Sequence, residues 1–299
     1  MSRNAFFLGL LTVIFWASGF AAVRASLLGG FAPGQLMLFR FLIASALFLL
    51  YAIYPRSNFK LPKKEHLPAI IMLSIVGITF YQFGVTFGQQ SISAGTASMI
   101  VGSAPIFTTI IAVVILRERM NTIGWIGLFI GFIGITLITY GSTGSFFTLS
   151  KGILFVLFGT ISTSFFFVYQ KRLFSTYHPI ELTAYFTWIG TIPMFIFLPD
   201  LIGNIQVATT EAILSAIYVG IVPGALCYAL WATALSLGNV STLSSLLYLE
   251  PPIAIIIAFI WIQELPSVIS MVGGLIAISS VAIVNFVERR IQRKAKMHG

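Results

Sequence analysis

The triplet Glu250-Pro251-Pro252 stands near the centre of Ser241–Glu264, an apolar stretch long enough to cross a bilayer, since about 20 helical residues at roughly 1.5 Å rise span a hydrocarbon core of roughly 30 Å. A carboxylate at that depth must face protein or water, where it binds a proton or pairs with a cation. Proline removes a backbone donor and crowds the preceding turn, so two in succession interrupt the helix. Solute carriers use such a broken helix to expose backbone groups to a substrate. On a regular helix Ser241, Ser244, Ser245, Tyr248 and Pro252 share one face and Glu250 lies opposite. The disturbed register relieves that conflict only in part. The structural alternative for Glu250 is a neutral acid, or a carboxylate hydrogen-bonded to the backbone freed at the break.

A second polar set lies at helical spacing. Thr79, Gln82, Thr86 and Gln89 recur at i, i+3, i+7 and i+10, within an arc of roughly 80° at 100° per residue. Two amides and two hydroxyls do not face lipid, so this stripe either lines a substrate path or bonds a neighbouring helix, at about 0.6–2 kcal/mol per contact. Gln82 and Thr86 lie deeper. Arg40, inside the second apolar segment, is the only basic residue in the core; it snorkels outward or pairs with a carbonyl. Pro105 and Pro223 sit near the centres of their segments, and with Pro251 and Pro252 they mark kinks that act as hinges or as static bends.

Other chemistry is poorly supplied. The single aspartate is Asp200, and His66, His178 and His298 all fall in loops or the tail, so an acid–base or metal constellation at depth is missing. No phosphate-binding GxxxxGK[ST] run is present, which argues against a nucleotide-driven pump. The one cysteine, Cys227, permits no intramolecular disulfide. No cofactor or metal is expected. A channel or receptor remains the alternative to a carrier, beside an intramembrane enzyme.

The elements that position these residues follow from composition. Of 299 residues 58% are hydrophobic and 8% charged, with a mean hydropathy of +0.99, which marks an all-α polytopic membrane protein. Ten apolar segments are predicted, at about 5–23, 33–54, 67–88, 94–116, 122–140, 151–170, 179–199, 212–236, 241–263 and 267–287. The net charge of +9 is unevenly shared. With the N-terminus inside, fourteen of the 17 Lys and Arg fall on the cytoplasmic side, five of them after residue 287, and Arg24 and Lys151 lie outside. The bias places both termini in the cytoplasm and explains the basic charge by topology and attraction to lipid heads, without nucleic acid.

The chain also repeats itself at a single offset of 146 residues. Pro33 matches Pro179, Pro105 matches Pro251, Glu118 matches Glu264, Gly127 matches Gly273, and Ile110-Ile111-Ala112 matches Ile256-Ile257-Ala258. Each copy holds five crossings, an odd number, so the second enters from the opposite face. The copies span 1–145 and 146–299 and join at the flexible run Gly141-Ser-Thr-Gly-Ser145. Small residues line the fifth segment at Gly124, Gly127, Gly131 and Gly134 and the tenth at Gly273, Gly274, Ala277 and Ser280, allowing close helix approach within one chain. A monomer or weak dimer is expected. Glu118 and Glu264 read as residues that finish helices.

In each half a proline is followed thirteen positions later by glutamate and then by a glycine-bearing helix, in APIFTTIIAVVILRERM at 104–120 and EPPIAIIIAFIWIQELP at 250–266. With WASGF at 16–20 and ALCYALWATAL at 225–235, the whole chain resembles the EamA family of the drug/metabolite transporter superfamily. The resemblance implies ten transmembrane helices as two inverted five-helix repeats, with helices 1, 3, 4, 6, 8 and 9 around a central cavity and the others peripheral. It also implies export or uptake of amino acids and other small metabolites; the reading drawn from it is a secondary transporter in a cell membrane working by alternating access, an exporter foremost, with Glu250 as the candidate group for a coupling proton. On those helices Trp16, Ser103, Phe166, Tyr169, Tyr228, Trp231 and Tyr248 join Thr79, Gln82, Thr86 and Glu250 as candidate substrate-facing residues. Each aromatic has packing as its alternative; as a set they suit uncharged or zwitterionic molecules. The copies differ where Glu250 meets Ala104 and Pro223 meets Gly77.

Overall fold

A backbone in hydrocarbon must satisfy its own polar groups, and an apolar chain of this kind does so by local helical bonding. The computed structural model describes residues 3–55, 57, 59–115, 122–144, 150–170, 173, 176–237 and 246–280. Among them no strand occurs. Eight helices are long and apolar enough to cross a membrane: α1 (Asn4–Leu28), α2 (Pro33–Ile53), α3 (Lys64–Gly88), α4 (Ala94–Ile115), α5 (Gly124–Thr143), α6 (Lys151–Gln170), α7 (Pro179–Phe197) and α8 (Thr210–Trp231). Two shorter apolar helices follow, α9 (Leu247–Ile262) and α10 (Val268–Ser280). Each overlaps one of the ten predicted segments, the last two only in part. Ser241, Ser244, Ser245, Glu118 and the basic tail lie outside the described residues.

Local sequence sets the boundaries. Proline opens α2 and α7 at the first turn, where its missing N–H is no loss. Gly30 turns the chain between α1 and α2 at φ +105°, a conformation that glycine adopts freely. A short helix at Leu201–Val207, which the hydropathy pattern does not reveal, serves that same turn. Its Asn204 Oδ1 accepts the Ala32 N–H at 3.0 Å, and the Thr209 N–H donates to the Gly29 carbonyl at 2.9 Å.

The helices interlock across the two halves of the chain. α1 packs against α8, α9 and α4, while α6 packs against α3 and α4. α2 meets α7 and α8, α3 meets α7, and α4 meets α9. Glycine permits the closest crossings. A Cβ on Gly84 would strike the backbone of Phe155 and Gly159, and one on Gly88 would strike Val156, so α3 and α6 approach backbone to backbone. This seam is absent from the expectation above, which singled out only the small residues of α5 and α10. Those two stripes do meet: Gly134 lies against Gly273 and Ala277, and Gly131 lies against Ser280.

Six departures from regular α-helix are described inside these rods, two of them 3-10 stretches that open α3 at Lys64–His66 and close α7 at Ile192–Phe197. α3 widens to a π turn at Ile75–Phe80 and α8 does so at Val222–Leu226. α4 breaks at Ser103, between Ala94–Gly102 and Ala104–Ile115. α9 begins with a 3-10 turn at Leu247–Leu249 and becomes α-helical at Glu250. Leu246, before this turn, is itself α-helical, so Pro251 and Pro252 follow an interruption within the rod and stand in the first turn of the α-helical run that resumes at Glu250. Pro105 likewise stands just after the break in α4, where a missing N–H leaves no carbonyl wanting.

Replacing Gly134 with valine should push α5 and α10 apart, since its Cβ would come within 2.6 Å of Gly273 O and Ala277 N. The expected effect is a loss of about 1–3 kcal/mol, read as a lower unfolding temperature of the detergent-purified protein. An unchanged temperature would mean that the two helices do not touch.

Candidate functional site

The interruptions collect polar and aromatic side chains from both halves. From α1, the half-buried Trp16 donates its indole N–H to the Pro223 carbonyl at 3.2 Å, inside the π turn of α8. Its ring stands edge-on to Tyr228, with centroids 5.5 Å apart, and tilted against Trp231 at 5.4 Å. Pro223 lies flat on Gly19, whose added Cβ would touch the proline ring at 3.3 Å. Three of the expected aromatics thus form one cluster, held by a π turn that proline helps to open.

Beside it lies a charged pair that does not close. Arg40 on α2 is only 5% exposed. Its Nη2 donates to Gln82 Oε1 at 2.5 Å and to Thr86 Oγ1 at 2.8 Å, both on α3. Its Nε has no partner, and among the described residues no carboxylate pairs with it. Keeping such an ion from water costs several kcal/mol, and a hydrogen bond to a charged group returns about 1.5–3 kcal/mol. Two bonds to neutral partners do little more than offset the burial. Stability alone does not account for a charge here.

Glu250 opens the α-helical part of α9 and is half-buried. A negative charge in the first turn of a helix is favourable. Arg40 and Glu250 form no salt bridge with each other among the described residues, and the Arg40 backbone carbonyl packs on Gly220, two residues before the π turn of α8. At one end of the rods a direct ion pair does form. Arg24 Nη2 meets Glu264 Oε1 at 3.0 Å, Arg24 Nη1 donates to the carbonyls of Gln89 and Gln90 at 2.7 and 3.0 Å, and Glu264 accepts the Ala94 N–H at 3.1 Å. This knot ties the ends of α1, α3, α4 and α9. Glu264 accordingly finishes its helix by bonding, as the sequence suggested.

An open groove of about 260 Å³ lies between α4 and α6. Its lining, which includes Phe107, Ile111 and Phe165, is wholly apolar. It offers a solute no polar group and is separate from the residues just described.

Comparison with known proteins places the chain. The model of the EamA-like transporter family matches twice, at residues 3–140 and again at 150–286. The chain belongs to the EamA-like transporter family. It is 36% identical over 271 residues to the uncharacterized transporter YdfC of Bacillus subtilis, covering 91% of this chain and 87% of that one. A probable terminal-alkyne amino-acid exporter of Streptantibioticus cattleyicolor is 30% identical over 276 residues, covering 92% and 91%. A solved crystal structure superposes with a TM-score of 0.65 at 18% identity, over 97% of this chain and 99% of the other, and so shares the fold.

Within this EamA-like chain the remaining candidates fall elsewhere. The Thr79 hydroxyl donates to the Gly190 carbonyl at 2.8 Å, tying α3 to α7 as the packing alternative describes. Ser103 is fully buried and donates to the Ile100 carbonyl of its own helix at 2.6 Å. Tyr169 packs against the core that holds Phe166 and Phe186, and Tyr248 packs against the one of Ile106, Leu128 and Ile135. Arg40 does not snorkel: its guanidinium turns inward to side chains of α3. Buried ions seek partners, and the only cation in the apolar core together with two polar residues on a neighbouring segment was the available signal for that link.

Replacing Gln82 with leucine removes one acceptor from a buried cation, with an expected loss of about 1.5–3 kcal/mol. Replacing Thr79 with valine removes a neutral interhelical bond, with an expected loss of about 1 kcal/mol. Unfolding temperatures of the two variants should therefore rank Gln82→Leu as the more damaged; the reverse order would contradict the Arg40–Gln82 contact.

Proposed function

We propose that this protein is a secondary active transporter, working as an exporter, that moves small organic metabolites such as amino acids by alternating access. The observation that carries the reading is the pairing of helix interruptions. Ser103 and Leu249 are 146 residues apart, and each caps its break with nearly the same backbone, at φ −83°, ψ 0° and φ −81°, ψ −13°. The π turns at Ile75–Phe80 and Val222–Leu226 also coincide under that offset to within a residue.

Helix contacts support two copies related by a twofold axis in the membrane plane. Exchanging the halves turns α1–α8 into α6–α3, α1–α9 into α6–α4 and α2–α8 into α7–α3, and every member of each pair is present. Ser45 and Thr191, equivalent residues, meet each other at 3.2 Å across the exchange. Ten spanning helices, odd in each copy, are consistent with these pairs and with the double family match. Carriers of this kind close one end of a midplane site while the other opens. The broken rods supply bendable points, Trp16, Tyr228 and Trp231 supply a surface for the solute, and Glu250 supplies a group able to take a proton. The amino-acid reading is supported by the name of the exporter from Streptantibioticus. A monomer in the cell membrane with both termini cytoplasmic completes the proposal.

In proteoliposomes, Glu250→Gln should abolish accumulation driven by a pH gradient while preserving folding and substrate counterflow. Undiminished proton-driven accumulation in that variant would refute proton coupling through Glu250.

A further inference from the structure

We infer that Arg40 is the receptor for a carboxylate carried by the transported molecule, an inference that rests on the carrier reading above. The family resemblance puts α2 at the periphery, yet this helix sends its one cation inward. Gln82 and Thr86 take the two hydrogens of Nη2 and fix the plane of the guanidinium. A guanidinium carries five N–H donors and accepts nothing, so the donors on Nε and Nη1 are left over. Nε is sealed from solvent without a partner. The chain has a carboxylate in the same region, but Glu250 forms no ion pair with Arg40 among the described residues. A buried cation that is held in position by neutral acceptors, and is not neutralised by the protein, is matched to an anion from outside.

The geometry also limits what that anion is attached to. With both hydrogens of Nη2 engaged, neither two-donor edge of the guanidinium is free, so a carboxylate is held by charge and by single N–H bonds from Nη1 or Nε. The Arg40 backbone packs on Gly220, and Ala44, one turn further along α2, shares a packed cluster with Ala225 and Tyr228; Tyr228 in turn stands against Trp16, which meets Trp231. A molecule bound to Arg40 by its carboxylate lays an ammonium group or an apolar side chain against those rings. The substrate class is therefore a small carboxylate-bearing molecule, an α-amino acid foremost, and not a simple amine or a neutral compound.

The test measures binding to the detergent-purified full chain, as the rise in unfolding temperature with ligand concentration. The probes are the twenty α-amino acids and, for each binder, its methyl ester and its decarboxylated amine. In the wild type the acid should bind about 100-fold more tightly than its ester, because a site built to bond a charged group rejects the analogue lacking it. Arg40→Gln should weaken the acid by about 100-fold and leave the ester within about threefold, and Arg40→Lys should fall between. A merely structural arginine would weaken acid and ester alike. Equal wild-type affinity for acid and ester overturns the inference without any variant, so a misfolded Arg40→Gln does not shield it. If the protein exchanges other solutes in counterflow but binds no amino acid, the inference fails and the carrier stands; if it exchanges none, both fail.

Discussion

Every carbonyl and N–H of a chain immersed in hydrocarbon must find a partner within the protein, and that requirement governs where this chain is allowed to be irregular. Regular α-helix meets it residue by residue. A π turn, a 3-10 turn or a break does not, and each is tolerated only beside another helix or a polar interior. Among the described residues the chain has two π turns, a break at Ser103 and 3-10 stretches in α3, α7 and α9. The π turns and the interruptions of α4 and α9 match between the halves, and the 3-10 end of α7 has no counterpart in α2.

Side chains answer the same constraint. Trp16 gives its N–H to a carbonyl of the π turn in α8, and Thr79 gives its hydroxyl to the end of an α-helical run in α7. Many Ser and Thr hydroxyls turn back on their own helices, as Ser103, Thr160 and Ser164 do. Such bonds leave little unspent polarity in the packed seams. Among the described residues the buried side-chain atoms left without a partner are Arg40 Nε, both polar atoms of the Gln89 amide, and the hydroxyls of Tyr185 and Ser215. Of these groups only Arg40 carries a charge.

Much of this was legible in the sequence, for stated reasons. Proline positions and the 146-residue offset revealed the breaks near Pro105 and Pro251, because proline acts through local backbone chemistry. The structure adds that Pro105 and Pro251 each stand just after the interruption, in the first turn of the helical run that follows. The π turn of α3 left no proline signal; Gly77 lies there against the ring of Phe166, a contact between segments almost ninety residues apart. Periodicity found the stripe on α3 but could not say that Arg40 of another helix would claim Gln82 and Thr86. Tyr169 and Tyr248 were drawn into the set by helix membership, and packing sends them to other cores. The Arg24–Glu264 ion pair joins residues 240 apart, beyond the reach of any local rule.

The central claim is that water reaches the region between the paired interruptions, and thiol labelling reads that most directly. Cys227 is replaced by serine, and single cysteines are introduced as Tyr228→Cys, Glu250→Cys and, on the outward face of α9, Ile256→Cys. The account predicts that a membrane-impermeant maleimide reacts with the first two in intact membranes and spares the third, which lies 58% exposed on an apolar surface. Inertness at 228 and 250, or labelling no faster than at 256, would show a dry core and contradict it.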